Sequence, residues 1–231
     1  MGFTNFIRKI STGFTEESEN ENLVGITPHL DQITVKHQGE TIIIKRDQNT
    51  DAEIQSLFAK TSRPCPPFCV QPMSVAAGVE TIGELELLDY IQKAQSDSSI
   101  MIIDSRLKTW VDKGTIPSAV HIPWTSLTTH EDTKISSFLL KKLGVETVTS
   151  ESGDKLDFTH AKTLVLFCNG TWCGQTSESI KALIAISYPP EKLKYYRDGM
   201  QGWVSLGLTT ALDKQQSCKV EPICKKPFKL V

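Results

Sequence analysis

The sequence predicts an α/β fold in which a parallel sheet is flanked by helices, preceded by a small N-terminal β-containing region. Three observations carry this. Ile100–Ile103 and Thr163–Phe167 are short apolar runs with the length and composition of buried strands, and Leu193–Tyr196 reads as another strand. Segments with helical spacing alternate with them, which is the pattern of strand–helix–strand units and a parallel sheet. Two of the runs end on chemically active residues, Asp104 and Cys168, and open parallel sheets gather their sites outside the carboxyl ends of strands.

Taken in order, the chain opens with Phe3, Phe6, Ile7, Ile10 and Phe14 on one face of a short amphipathic segment, then an acidic linker around Glu16 to Glu21. Ile33 to Lys45 reads as two strands about a turn near Gln38-Gly39. Asp51 to Lys60 reads as a short helix with Ile54, Leu57 and Phe58 on one face. Thr61 to Pro72 contains four prolines together with Cys65 and Cys69, which exclude a helix interior and a central strand and leave a rigid, extended connector. The domain boundary is placed just after it, giving a small region over 1–76, a main domain over 77–212 and a tail over 213–231.

The main domain opens with Thr81-Ile-Gly-Glu84, a capping-box pattern, and Leu85, Leu88 and Ile91 follow at helical spacing. After the strand ending at Asp104 comes Gly114 to Pro123, a turn into a brief strand. Ile135 to Leu143 is helical in pattern, and Val145 to Phe158 is an exposed hairpin or loop. The strand Thr163–Phe167 runs into Cys168-Asn-Gly-Thr-Trp-Cys173-Gly-Gln-Thr176. A helix follows from about Ser177, with Thr176 and Ser177 as N-cap residues. A thiol between a strand end and a helix start meets unpaired N–H groups and the positive end of the helix dipole, which favours thiolate. Cys168 is therefore the candidate nucleophile.

The totals exclude several classes. With 231 residues, 39% hydrophobic and 23% charged, the chain has the composition of a soluble globular protein, and a net charge of −2 gives no reason to expect nucleic acid as a partner. No apolar run approaches the roughly 20 residues of a membrane span. The first ten residues lack the apolar core of a secretory signal, so the cytoplasm is the expected location and the six cysteines are expected to be reduced.

Ile103-Asp104-Ser105-Arg106, then Gly114-x-Ile116-Pro-Ser-Ala119-x-His121-Ile-Pro123, then a strand ending in Cys168, then Asp198-Gly199-Met-Gln-Gly-Trp203 together resemble a rhodanese domain over roughly residues 79 to 210. The resemblance implies a rhodanese-like sulfurtransferase. Cys168 accepts sulfane sulfur as a persulfide and passes it to a thiol or protein acceptor. The amides of Asn169, Gly170, Thr171, Trp172, Gly174, Gln175 and Thr176 cradle the sulfur anion, and no cofactor is needed. Asp104 and Arg106 support the loop structurally, and His121 occupies a structural position.

The loop departs from the family pattern. It has no basic residue to pair with a sulfonate and is about two residues longer than usual, which disfavours thiosulfate as the natural donor and makes room for a larger one. It also carries Cys173, a candidate resolving thiol.

Three rival readings use the same residues. Cys168 and Cys173 would serve a thiol–disulfide redox protein, the segment Trp172-Cys173-Gly174-Gln175-Thr176 being similar to a thioredoxin site. An idle cysteine would leave a binding module on a rhodanese fold. A phosphatase is set aside, because Gly174 and Gln175 stand where an Arg would bind phosphate. Cys65, Cys69, Cys218 and Cys224 flank the rhodanese-like region and are the weaker candidates for a metal site; the expectation is no metal.

Overall fold

The computed structural model describes residues 24–54, 56–128, 135–150 and 153–212. The N-terminal amphipathic segment, the acidic linker, Cys218, Cys224 and the tail lysines lie outside these described residues. Among the described residues, no helix is long and apolar enough to cross a membrane.

The centre of the molecule is a five-stranded parallel sheet with strand order β3-β9-β8-β4-β5. Its strands are β3 (Glu80–Ile82), β4 (Ile100–Asp104), β5 (Val120–His121), β8 (Thr163–Phe167) and β9 (Leu193–Tyr196). β4 and β8 lie side by side in the middle, buried on both faces, which is why they read as unbroken apolar runs rather than alternating ones. Helices α2 (Glu84–Lys93), α3 (Lys108–Val111), α4 (Ser137–Lys142), α5 (Gln175–Ala185) and α6 (Gly199–Ser205) connect the strands or follow them.

Two buried clusters lie on the sheet. One contains Ile103, Leu139, Leu140, Leu164, Leu166, Ile180 and Leu183, from β4, α4, β8 and α5. The other contains Leu87, Leu88 and Ile91 of α2, Val165 and Phe167 of β8, and Met200 and Trp203 of α6. The N-terminal hairpin, β1 (Gln32–His37) with β2 (Glu40–Lys45), joins this second cluster through Ile33, Val35 and Ile44. It turns at Gln38-Gly39, both with positive φ. The short helix α1 (Ser56–Ala59) adds Phe58 to the same cluster. The segment Val145 to Phe158 forms a second antiparallel hairpin, β6 (Glu146–Ser150) with β7 (Gly153–Asp157).

Two helix starts differ from expectation. α2 begins at Glu84 and its cap is Gly83, whose N–H donates to Glu86 Oε2 at 3.0 Å. Thr81 instead lies in the edge strand β3 and donates its hydroxyl to the carbonyl of Met73. α5 begins two residues early, at Gln175, so Thr176 and Ser177 are buried in its first turn rather than capping it.

Candidate active site

Asp104 at the end of β4 stands directly opposite Phe167 at the end of β8. The chain leaving each strand therefore enters the same space. Ser105 N–H donates to Phe167 O at 3.1 Å, which ties the two exits together.

Asp104 and Arg106 form a buried ion pair. Arg106 Nη2 donates to Asp104 Oδ2 at 2.6 Å and Nε donates to Oδ1 at 2.8 Å, while the Arg106 backbone N–H also reaches Oδ1 at 3.1 Å. Thr115 Oγ1 donates to Asp104 Oδ2 at 2.6 Å, and Gly114 O accepts from Arg106 Nη2 at 2.6 Å. A guanidinium that is fully buried needs this number of acceptors to offset its lost hydration. Its remaining nitrogen, Nη1, donates to Asn169 Oδ1 at 3.3 Å, and Asn169 Nδ2 donates to Cys173 Sγ at 3.8 Å. The ion pair thus supports the cysteine loop through Asn169. His121 bonds the carbonyl of Arg106 through Nε2 at 2.9 Å, a packing role.

The loop is shaped by α6. Cys168 O accepts from Met200 N–H and Asn169 O accepts from Gln201 N–H, both at 2.9 Å, so two loop carbonyls cap the start of that helix. This approach requires glycine at 199. Its φ is +54°, and a Cβ there would stand 2.4 Å from Cys168 O. The first backbone bond of α5 runs from Glu178 N to Gly174 O at 3.0 Å. The amides of Gln175, Thr176 and Ser177 therefore precede the helical ladder and present its positive end to the loop.

Cys168 and Cys173 are joined by a disulfide, and both are buried, at 2% and 3% exposure. Cys65 and Cys69 form a second disulfide. The expectation that these four thiols are reduced is thereby corrected: the Cys168–Cys173 pair is the one the thiol–disulfide reading named, whereas the Cys65–Cys69 pair, closed across a short turn, was not foreseen. Cys65 and Cys69, weighed above as metal ligands, are bonded to each other.

The connector, read from sequence as a rigid, extended stretch with two weak candidate metal ligands, packs against the cysteine loop. Phe68 meets Trp172 edge-on with ring centroids 5.6 Å apart, and Trp110 lies 6.2 Å from Trp172 on another side. Arg63 places its guanidinium 3.8 Å above the Trp172 ring, and burial lowers its pKa. Trp172 Nε1 donates to Gln201 Oε1 at 2.7 Å, and Gln201 Nε2 donates to Phe58 O at 2.9 Å. Trp172 is thus a bracket between the connector, the loop and α6. Arg63, Trp110 and Gln201 were missed from sequence. Only the proline- and cysteine-rich composition of 61–72 marked that stretch as unusual.

A cavity of about 350 Å³ opens beside Cys173, lined by Phe68, Trp110, Trp124, Asn169, Gln175 and Glu178 among others. A larger one of about 630 Å³ between α4 and the β6–β7 hairpin is lined by no cysteine or histidine, so chemistry rather than size picks out the smaller. Gln175 Oε1 lies 3.7 Å from Cys168 Sγ.

A parallel α/β sheet with a cysteine-bearing loop between the central strand and the next helix, braced by a buried Asp-x-Arg pair, defines the class of domain. The chain belongs to the rhodanese-like domain family, whose model matches residues 87–206. Among curated proteins, none matches it. Several solved structures do. A protein of unknown function and possible tyrosine phosphatase from Rhodopseudomonas palustris is 14% identical over 59% of this chain and 88% of its own, with a TM-score of 0.42. A rhodanese-like domain from an Anabaena species is 13% identical over 66% and 91%, with a TM-score of 0.38. A polysulfide-sulfur transferase homodimer from Wolinella succinogenes is 18% identical over 61% and 83%, with a TM-score of 0.37.

Proposed function

We propose that this protein is a sulfurtransferase or persulfide carrier that moves sulfane sulfur through Cys168 to a thiol or protein acceptor. The observation that carries this reading is the position of Cys168, between the end of β8 and the amide-rich start of α5 in a rhodanese-like domain. With the Cys168–Cys173 disulfide reduced, the Cys168 thiolate attacks the sulfane sulfur of a donor. The donor's leaving group departs and Cys168–S–S⁻ remains. An acceptor thiolate then attacks the outer sulfur, and Cys168 thiolate is regenerated. Loop amides and the positive end of α5 stabilise each anion.

The cavity beside Cys173 is lined by no Lys, Arg or His, and Arg106 is committed to Asp104, Gly114 and Asn169. This favours an organic or protein persulfide over thiosulfate as the donor. A cytoplasmic setting would supply reductants for both disulfides.

Intact-mass measurement after incubation of the reduced protein with sulfane-sulfur donors tests the reading. The expected result is a gain of one sulfur, lost in Cys168→Ser. A gain that persists in Cys168→Ser would sink the assignment. A second reading, thiol–disulfide exchange as the primary role, is favoured by the Cys168–Cys173 disulfide itself. It predicts disulfide reductase activity that needs Cys173, with no persulfide at any donor concentration.

A further inference from the structure

Two cysteine pairs share one cover. The loop pair, Cys168–Cys173, is covered by Trp172, Phe68 and Trp110, which pack with it as a single apolar cluster, and a cavity opens on its Cys173 side. Phe68 belongs to the turn that the second pair, Cys65–Cys69, closes, and it immediately precedes Cys69. The two sulfurs of that turn differ in setting: Cys65 is exposed and Cys69 half-buried.

The turn is tethered to the active-site loop two residues further on. Gln71 N–H donates to Thr171 O at 2.7 Å, between the loop's two cysteines. Its side-chain Nε2 donates to Cys69 O at 2.9 Å, and its carbonyl accepts from Arg197 Nη2 at 2.9 Å. The Gln71 side chain also lies against Gly174, next to Cys173 in the chain, since a Cβ there would stand 3.5 Å from Gln71 Nε2. Cys69, two residues from that tether, thus lies on the side of the connector that faces the cysteine loop, sharing a cavity wall with Trp172, and its partner sulfur faces solvent.

We propose that Cys65 and Cys69 form a dithiol relay that carries reducing equivalents from an external protein dithiol to the Cys168–Cys173 disulfide. The external dithiol attacks exposed Cys65 Sγ, Cys69 leaves as thiolate, and the donor's second thiol releases Cys65. The donor is oxidised to its disulfide, and two electrons and two protons have entered the connector pair. Cys69 thiolate then attacks Cys173 Sγ as the turn pivots on its Gln71 tether. The Cys168–Cys173 bond breaks, and Cys168 departs as the thiolate that the start of α5 stabilises. Cys65 thiolate attacks Cys69 Sγ in the mixed disulfide, and Cys173 departs. One S–S bond has formed and one has broken, and the two protons lost by the connector pair equal the two gained by the loop pair. The relay goes beyond sulfur transfer and rests only on the loop disulfide. It gives a bulky reductant a solvent-facing point of entry, Cys65, to a pair of sulfurs that are only 2% and 3% exposed.

The test uses the full chain with both pairs oxidised. Reduction of Cys168–Cys173 is followed by alkylation and peptide mass, with thioredoxin as the protein dithiol and a small water-soluble phosphine as the control. In the Cys65→Ser/Cys69→Ser variant, the thioredoxin rate is expected to fall by about tenfold or more while the phosphine rate stays unchanged. An unchanged thioredoxin rate overturns the relay. Parallel change in both rates also overturns it, because the crosslink then acts only as a brace for the lid. As an independent check, Cys65→Ser/Cys168→Ser leaves Cys69 and Cys173 to be trapped by mild oxidation. A Cys69–Cys173 crosslink in that variant is expected, and its absence rejects the exchange step. Sulfur loading of pre-reduced Cys65→Ser/Cys69→Ser should match that of the unaltered protein, so failure of the relay and failure of sulfur transfer are read separately.

Discussion

Arg106 Nη1 donates to Asn169 Oδ1 across 3.3 Å, joining the end of β4 to the cysteine loop after β8. The guanidinium is fully buried, with Asp104 as its counter-ion. Removing either charge leaves the other buried and unpaired, at a cost of about 3–5 kcal/mol. Asp104→Asn and Arg106→Ala are expected to lower unfolding free energy by that order in urea titrations. Asn169→Ala, which leaves the ion pair intact, should instead lower activity with a smaller loss of stability.

Gly199→Ala tests the contact between α6 and the loop. The added methyl would meet Cys168 O at 2.4 Å and Gly170 N at 2.8 Å, at a φ of +54° that costs an L-residue about 1–2 kcal/mol before the clash is counted. The variant is expected to be destabilised by more than that cost and to lose sulfur loading at Cys168, measured by thermal unfolding and intact mass.

Alkaline pH should weaken the fold. Burial raises the pKa of Tyr188, Tyr195 and Tyr196 above the ordinary phenol value of 10.0, and for Tyr196 the carboxylate of Glu84 adds to it. With native pKa values above unfolded ones, the native state keeps protons that the unfolded chain releases. This stabilisation is complete below pH about 10 and is lost as pH rises toward the native values. Unfolding midpoints measured from pH 8 upward should therefore fall past about pH 10, and Tyr188→Phe should flatten part of that fall. Tyr188→Phe will also remove the hydroxyl bond to Lys162 O, 2.7 Å long, at a cost of about 1 kcal/mol at neutral pH.

The N-terminal hairpin should unfold with the sheet rather than before it. Ile44 is fully buried in the cluster that holds Leu87, Val165 and Trp203. Ile44→Ala is expected to cost about 2–5 kcal/mol and to keep a single transition when fluorescence and circular dichroism are compared. Two separate transitions would instead support a division near residue 76.

Much of the domain was legible because its signals are local. Ile100–Ile103 and Thr163–Phe167 belong to central strands largely buried on both faces, and such strands announce themselves as apolar runs. Gly114, His121 and Gly199 carried the family pattern because each makes a contact that few other residues tolerate. β3 was missed because three residues at a sheet edge, Glu80 to Ile82, are specified by pairing with β9 rather than by their own composition. The docking of Phe68, Arg63 and Trp110 on Trp172 was invisible for a similar reason: those residues meet only in space, from three separate stretches of chain.

The carbonyls of Cys168 and Asn169 both point at the start of α6, where Met200 and Gln201 donate to them. A trans peptide plane sets its N–H opposite its C=O. The same two planes therefore turn the N–H groups of Asn169 and Gly170 away from α6. A helix outside the loop thus decides which way the loop's dipoles face. Removing one of those backbone donors, as Met200→Pro would, releases the Cys168 carbonyl without changing any residue between Cys168 and Cys173.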